Sequence, residues 1–221
     1  MHSHAEFALA PAPGRSRQNR GSEVVRAALL EAAIGEFASR GFAGASGRRI
    51  AAEAGAHQSQ INYHFGSTNE LWKAALLFLL DELDQAIAEQ LAQLESNEQA
   101  DQFAAMVRGF VHFAARRPEL SRIMMHEGAA PSERLAWFVE TQLAHRHRQL
   151  LAAWTNLRNS GIAAEVDPDV LYHSMIGAAS LLYANGPEAE LLGIKPTDYD
   201  LTERHAQSLV ALLLPGRNKD F

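Results

Sequence analysis

The stretch SGRRIAAEAGAHQSQINYHFGSTNEL, residues 46–71, decides the fold. Ser46 stands where a helix N-cap belongs, Arg48, Arg49, Ile50, Ala51, Ala52 and Glu53 follow it, and Gly55 is a stop signal. A second short run from about Gln58 to His64 comes at once and ends at Gly66. The spacing predicts two short helices joined by a tight glycine turn. That is the helix-turn-helix arrangement, in which the second helix enters a DNA major groove and the first braces it against the backbone.

Working outward, Ser22 and Glu23 open a first helix, and Val24, Ala28, Leu29, Ala32, Ala33 and Phe37 carry a helical period to Gly41. These three helices are expected to form a small domain over residues 21–68. Residues 1–20 precede it as a flexible basic arm with Arg15, Arg17 and Arg20. Such an arm suits either contact with phosphates or a solvated, disordered existence.

Downstream, Trp72, Leu76, Leu80, Leu83, Ile87, Leu91 and Leu94 recur at three- and four-residue steps and predict one long helix over about 70–95. Later helices are marked by Phe103, Val107, Phe110 and Ala114, by Glu119 to Glu127, and by Leu135, Val139, Leu143, Leu150, Trp154 and Leu157. Asp167-Pro168 starts another, and the last spans roughly Leu201 to Leu214. No run reads as a strand. The expected fold is all-α, with a larger helical ligand-binding and dimerisation domain over residues 69–221.

The helix at 168–185 is apolar on more than one side. Leu171, Met175, Ala178 and Leu182 make one stripe, and Tyr172, Ile176, Ala179 and Tyr183 make another. Such a helix needs two partners. With Gly177 and Ser180 permitting close approach, and Leu209, Val210, Leu212 and Leu213 on the last helix, the expectation is a homodimer through helices 168–185 and 201–214. The alternative is that both helices are buried inside one large core.

The composition is 47% hydrophobic and contains no cysteine, which excludes disulfides and thiolate chemistry. The net charge of −6 is unevenly spread. Residues 1–73 carry 8 Lys/Arg against 6 Asp/Glu, and the rest carries 12 against 20. The opening residues lack the pattern of a secretory signal. The longest strongly apolar stretch, Ala74 to Leu80, falls far short of the roughly 20 residues that span a bilayer. A cytoplasmic chain without membrane partners is expected.

These residues resemble the DNA-binding signature of TetR-type bacterial transcriptional regulators, through Ser46, Ile50, Ala51, Ala54, Gly55, Tyr63, His64, Phe65, Ser67, Glu70 and Leu71. The segment PELSRIMMHEG with Ser132, Arg134 and Trp137 is similar to a subset of the same regulators. The chain departs from the family pattern at Thr68, where a phosphate-contacting Lys is common, at Asn62, where an aromatic is common, and at His57, where Ser is usual.

The resemblance implies a ligand-responsive repressor that binds a near-palindromic double-stranded operator as a dimer and is released by a small-molecule effector. Ser46, Arg48 and Arg49 are the candidates for phosphate or base contact. Around the second short helix the candidates are His57, Gln58, Ser59, Gln60, Asn62, Tyr63, His64 and Thr68. Its Gln and Asn amides suit adenine edges, while Ile61 and Phe65 are expected to anchor the helix. The effector is expected among Phe103, Met106, Phe110, Met124, Trp137, Phe138, Trp154, Tyr172 and Met175, oriented by His112, His126, Asn156 or His173.

Catalytic, metal and cofactor sites are not expected. His145 and His147 are two apart on a helix and point to different faces, and no His-Glu-x-x-His, phosphate-loop or Gly-x-Ser-x-Gly pattern is present. The competing readings are a nonspecific DNA-binding protein, and a helical enzyme or carrier using groups such as His126 and Glu127.

Overall fold

The computed structural model describes residues 14–217, and all secondary structure among them is helical. Helix α1 (Gly14–Gly44) is broken at Gly41, whose φ of 64° and ψ of 175° lie outside the helical region. It begins earlier than Ser22, because Arg-Ser-Arg-Gln-Asn-Arg contains good helix formers and the single Gly21 does not interrupt the helix. Of the expected arm, residues 1–13 lie outside the described residues.

Helices α2 (Gly47–Glu53) and α3 (Ser59–Phe65) come next, as the glycine spacing foretold, and α4 (Thr68–Leu91) is the long connecting helix. Leu29, Phe37, Ile50, Ile61, Leu71, Trp72 and Leu76 are all buried in one core shared by these four helices. Helix α6 (Glu119–Glu127) packs on α1 and adds Leu120 and Ile123 to that core.

Helix α5 (Gln99–Arg116) crosses α4 so closely that a Cβ on Gly109 would lie 2.7 Å from Ile87 Cα and 2.9 Å from the Ala86 carbonyl oxygen. Backbone has no rotamer with which to yield. Gly109→Ala should therefore force the two helices apart and destabilise the protein by about 1–3 kcal/mol, read as a lower urea midpoint with an unchanged slope.

One continuous helix was expected over 135–157. Instead α7 (Glu133–Phe138) leads through a π-helical turn (Val139–Leu143) into α8 (Ala144–Asn159). The Thr141 hydroxyl donates to the Trp137 carbonyl at 2.7 Å within that turn. A wide turn of this kind rotates the following helix relative to the preceding one, and such turns recur at functional sites.

Helix α9 (Pro168–Ala184) is capped by Asp167, whose carboxylate accepts from the Asp169 N–H at 2.8 Å. Short helix α10 (Gly186–Leu191) has no counterpart among the expected helices; Pro187 stands in its first turn, where a proline is well suited. Helix α11 (Tyr199–Leu213) closes a second core with α5, α8 and α9, built on Phe103, Val111, Trp154, Leu171, Met175 and Leu209.

The inner face of α9 is Leu171, Met175, Ala179 and Tyr183, whereas Val170, Ser174, Gly177, Ala178 and Leu181 are exposed. Ala178 thus stands on the outer face, not with Leu171 and Met175 as expected. On α11, Leu209, Val210 and Leu213 turn inward and Leu212 is exposed. His205 of α11 joins the two helices: its Nε2 donates to the Ala178 carbonyl at 2.9 Å and its Nδ1 accepts from the Tyr183 hydroxyl at 3.0 Å. Burial holds the imidazole below its ordinary pKa, which keeps it neutral and preserves both bonds.

Candidate nucleic-acid interface and interior cavity

The turn between α1 and α2 is organised by one carboxylate. Glu36 accepts from the Ser46 N–H at 3.0 Å and from Arg49 Nε at 2.8 Å, while Arg49 Nη2 also donates to the Gly44 carbonyl at 2.7 Å. Ser46 caps α2 by accepting from the Arg49 N–H. Arg49 is therefore occupied in bracing α2 on α1, and Arg48 is the member of the pair that stands exposed without such a role.

The Arg49 hydrogen bond holds the Glu36 carboxyl below its ordinary pKa of 4.5. A group depressed in the folded state stabilises it above the unfolded pKa and ceases to do so as pH falls through the folded one. Urea unfolding followed from pH 6 to pH 3 should show a decline in midpoint that is shallower in Glu36→Gln, which starts lower at pH 6. Parallel declines would show that this carboxylate has no part in acid stability.

Between α2 and α3 the chain turns at Gly55, with φ of 62°, and α3 ends at Gly66, with φ of 83°. His57 supplies the start of α3: its Nδ1 accepts from the Ser59 N–H at 3.3 Å and lies 2.9 Å from the Ser59 hydroxyl. An imidazole here replaces the usual short hydroxyl cap.

Ile61 is buried and Phe65 half-buried, with the Arg26 guanidinium 4.9 Å from the Phe65 ring centroid. Anchored by these two, α3 presents Gln58, Ser59, Asn62 and Tyr63 to the exterior, and Tyr63 is 79% exposed. His64 sits edge-on to Tyr63 at 4.9 Å. Gln60, His64 and Thr68 are half-buried at the margins of this face. Lys73 is held on its own helix, bonded to Glu70 at 2.9 Å and lying 5.2 Å from the Trp137 ring centroid.

The segment from Pro118 to Trp137 links this head to the rest of the chain. Buried Glu127 accepts from Arg134 Nη2 at 3.1 Å and Nε at 3.2 Å and from the Ser132 hydroxyl. The Arg134 guanidinium lies 3.7 Å from the Phe42 ring centroid, just beyond the break at Gly41, and His126 packs against Gly41 itself. At the other end of α6, Arg122 Nε donates to the Ala184 carbonyl at the C-terminus of α9, 2.8 Å away. Helix α6 thus touches both the α1 break and α9.

A cavity of about 670 Å³ opens among α4, α5, α6, α7, α8 and α9. Of the aromatic and methionine residues expected to gather, Phe103, Met106, Phe110, Met124, Phe138, Tyr172 and Met175 line it. Trp137 and Trp154 do not. Trp137 packs against Trp72, and Trp154 is fully buried against Phe103 with its indole N–H donating to the Val166 carbonyl at 3.3 Å.

None of His112, His126, Asn156 and His173 lines the cavity. His112 instead bonds Glu203 at 3.1 Å. The polar lining comes from residues not anticipated, chiefly Asp84, Gln142, Arg146 and His147. The signal for Arg146 and His147 was the polar face of α8, whereas Asp84 comes from α4 and Gln142 from the π turn. Burial raises the Tyr172 pKa, so its phenol remains a hydrogen-bond donor. Among the described residues no group of His, Asp and Glu is arranged to hold a metal ion, and no helix is long and apolar enough to cross a membrane.

Residues 29–75 match the family described as bacterial regulatory proteins, tetR family. The chain is 34% identical over 109 residues to the HTH-type transcriptional repressor SCO4008 of Streptomyces coelicolor, a match covering 49% of this chain and 52% of that protein. It thus spans about half the length of that relative. It is 28% identical over 195 residues to the HTH-type transcriptional dual regulator CecR of Shigella flexneri, covering 80% and 83% of the two chains. Among solved structures, AibR in complex with isovaleryl coenzyme A and operator DNA superimposes with a TM-score of 0.68 at 22% identity, covering 86% of this chain and 98% of that one.

Proposed function

We infer that this chain, which through residues 29–75 belongs to the tetR family of bacterial regulatory proteins, is a ligand-responsive transcriptional repressor that binds a near-palindromic operator as a homodimer. Residues 21–68 are the DNA-binding part, and residues 69–221 bind the effector and form the dimer. The observation that carries this reading is the α3 face: a short helix pinned by Ile61 and Phe65, stopped by Gly66, and offering two amides, a hydroxyl and an exposed phenol. Rigid presentation of such groups is what base-edge recognition in the major groove requires.

The roles divide by position. Gln58 and Asn62 read bases, Arg48, Tyr63 and His64 hold phosphates, and Arg49 positions α2. The outer stripe of α9, with Leu212 of α11, pairs with the same surface of a second copy. An effector in the cavity favours a dimer in which the two α3 helices are turned out of register, by an amount limited by its preference for that state. Helix α6 is the connection, since it touches the cavity through Leu120 and Met124 and the α1 break through His126.

Selection from a pool of random duplexes tests the reading. The parent should enrich an inverted repeat with half-sites about one helical turn apart. Asn62→Ala should relax preference at one base pair per half-site at a cost of about 1–3 kcal/mol, whereas Arg48→Ala should weaken all sequences alike and flatten the salt dependence. Enrichment of no sequence would leave a nonspecific DNA binder.

A further inference from the structure

We propose that the cavity takes an uncharged, amphipathic molecule, with an apolar body and a head of hydroxyl, carbonyl or amide character. The inference rests on the effector-binding reading above and adds the chemical class of the effector. Among the described residues, the lining carries one acidic and one basic side chain besides the imidazole of His147: Asp84 on α4 and Arg146 on α8, and these are spent on each other. Arg146 Nη1 lies 2.5 Å from Asp84 Oδ1 and Nη2 lies 2.7 Å from Oδ2, a two-pronged pair.

An anionic head entering beside Arg146 would meet the Asp84 carboxylate. A cationic head would meet the guanidinium. The pair stands at the half-exposed rim of the cavity, so a charged head drawn past it into the apolar interior gives up solvent without gaining a free counter-charge from either residue, which is costly. The rest of the polar lining is made of groups that can both donate and accept: Gln99, Gln102, Gln142 and Gln149 offer amides, Tyr172 a phenol, Ser121 a hydroxyl and His147 an imidazole. Met106, Phe110, Met124 and Met175 supply an adaptable apolar wall. The volume is that of a site for a drug-sized molecule.

Three probes with one chain and three heads separate the possibilities: dodecan-1-ol, dodecanoate and dodecylammonium, each below its aggregation concentration. They compete with the neutral fluorophore N-phenyl-1-naphthylamine on the full-length protein without DNA. Dodecan-1-ol should displace the fluorophore at about tenfold lower concentration than either ion, the direction following from the cost of burying an unpaired charge. Asp84→Asn should move the preference towards dodecanoate, and Arg146→Met towards dodecylammonium. Met106→Trp should weaken fluorophore binding and so locate it.

Equal or stronger competition by either ion in the parent would overturn the proposal, as would an unchanged order in both charge variants. Failure of the fluorophore to bind would also overturn it. Operator binding, titrated separately on DNA, fails or succeeds independently of these outcomes.

Discussion

Exchanging Leu181 for glutamate should convert the protein to a folded monomer and lower its operator affinity by roughly 10²- to 10⁴-fold. Leu181 is 48% exposed on the outer face of α9, one turn from Gly177 and Ala178. A Cβ on Gly177 would meet nothing within 4 Å in its own chain, so that small residue serves no packing need there. The face is suited to another α9 at close range. In the dimer proposed above, a carboxylate on this face would meet its symmetry mate across the two-fold axis and be desolvated without a partner. The monomer keeps its α3, but it loses the second half-site, whose binding had been intramolecular. Sedimentation velocity reads the first effect and anisotropy the second. A dimeric Leu181→Glu protein would place the interface elsewhere.

Arg134→Met is expected to be the most damaging single change to stability, at about 3–5 kcal/mol. For a chain of this size that corresponds to a fall in Tm of very roughly 6–20 °C. The reason is the state in which it leaves Glu127, whose side chain is 5% accessible and takes two of its bonds from that guanidinium. The Ser132 hydroxyl alone cannot satisfy a buried carboxylate. Glu127→Gln in the same background should recover a large part of the loss, because it removes the unpaired charge. If the double variant is no more stable than Arg134→Met, the damage comes instead from the lost stacking on Phe42. Any variant that stays folded also tests whether this junction carries the effector signal from α6 to the head.

How much was legible beforehand differed by region. The head was readable because its punctuation is local: Ser46, Gly55, Gly66 and Ser67 each act on the nearest turn of backbone, and α2, α3 and α4 begin or end beside them. The division of labour between Arg48 and Arg49 was not readable. It depends on Glu36, ten or more positions away, arriving beside Arg49 through the path of α1. The cavity was half readable. Aromatic and methionine content marked the right helices, but Trp154 is fully buried core and Trp137 packs half-buried on Trp72, and size alone does not distinguish a wall from a filler. Asp84 and Arg146 meet across a long sequence separation, and the π turn that aims α8 has no signature in apolar periodicity. In the segment Pro118–Trp137 the pairing of Glu127 with Arg134 depends on the turn between α6 and α7, which apolar periodicity does not encode.

The most direct test of the central claim is fluorescence anisotropy of the full-length protein on DNA from upstream of its own gene, beside a scrambled duplex, across a salt series. Tight binding that prefers the first duplex, weakens steeply with salt and saturates at two chains per site is expected. Equal, weak binding to both duplexes, or none at low salt, would contradict a sequence-specific operator-binding dimer.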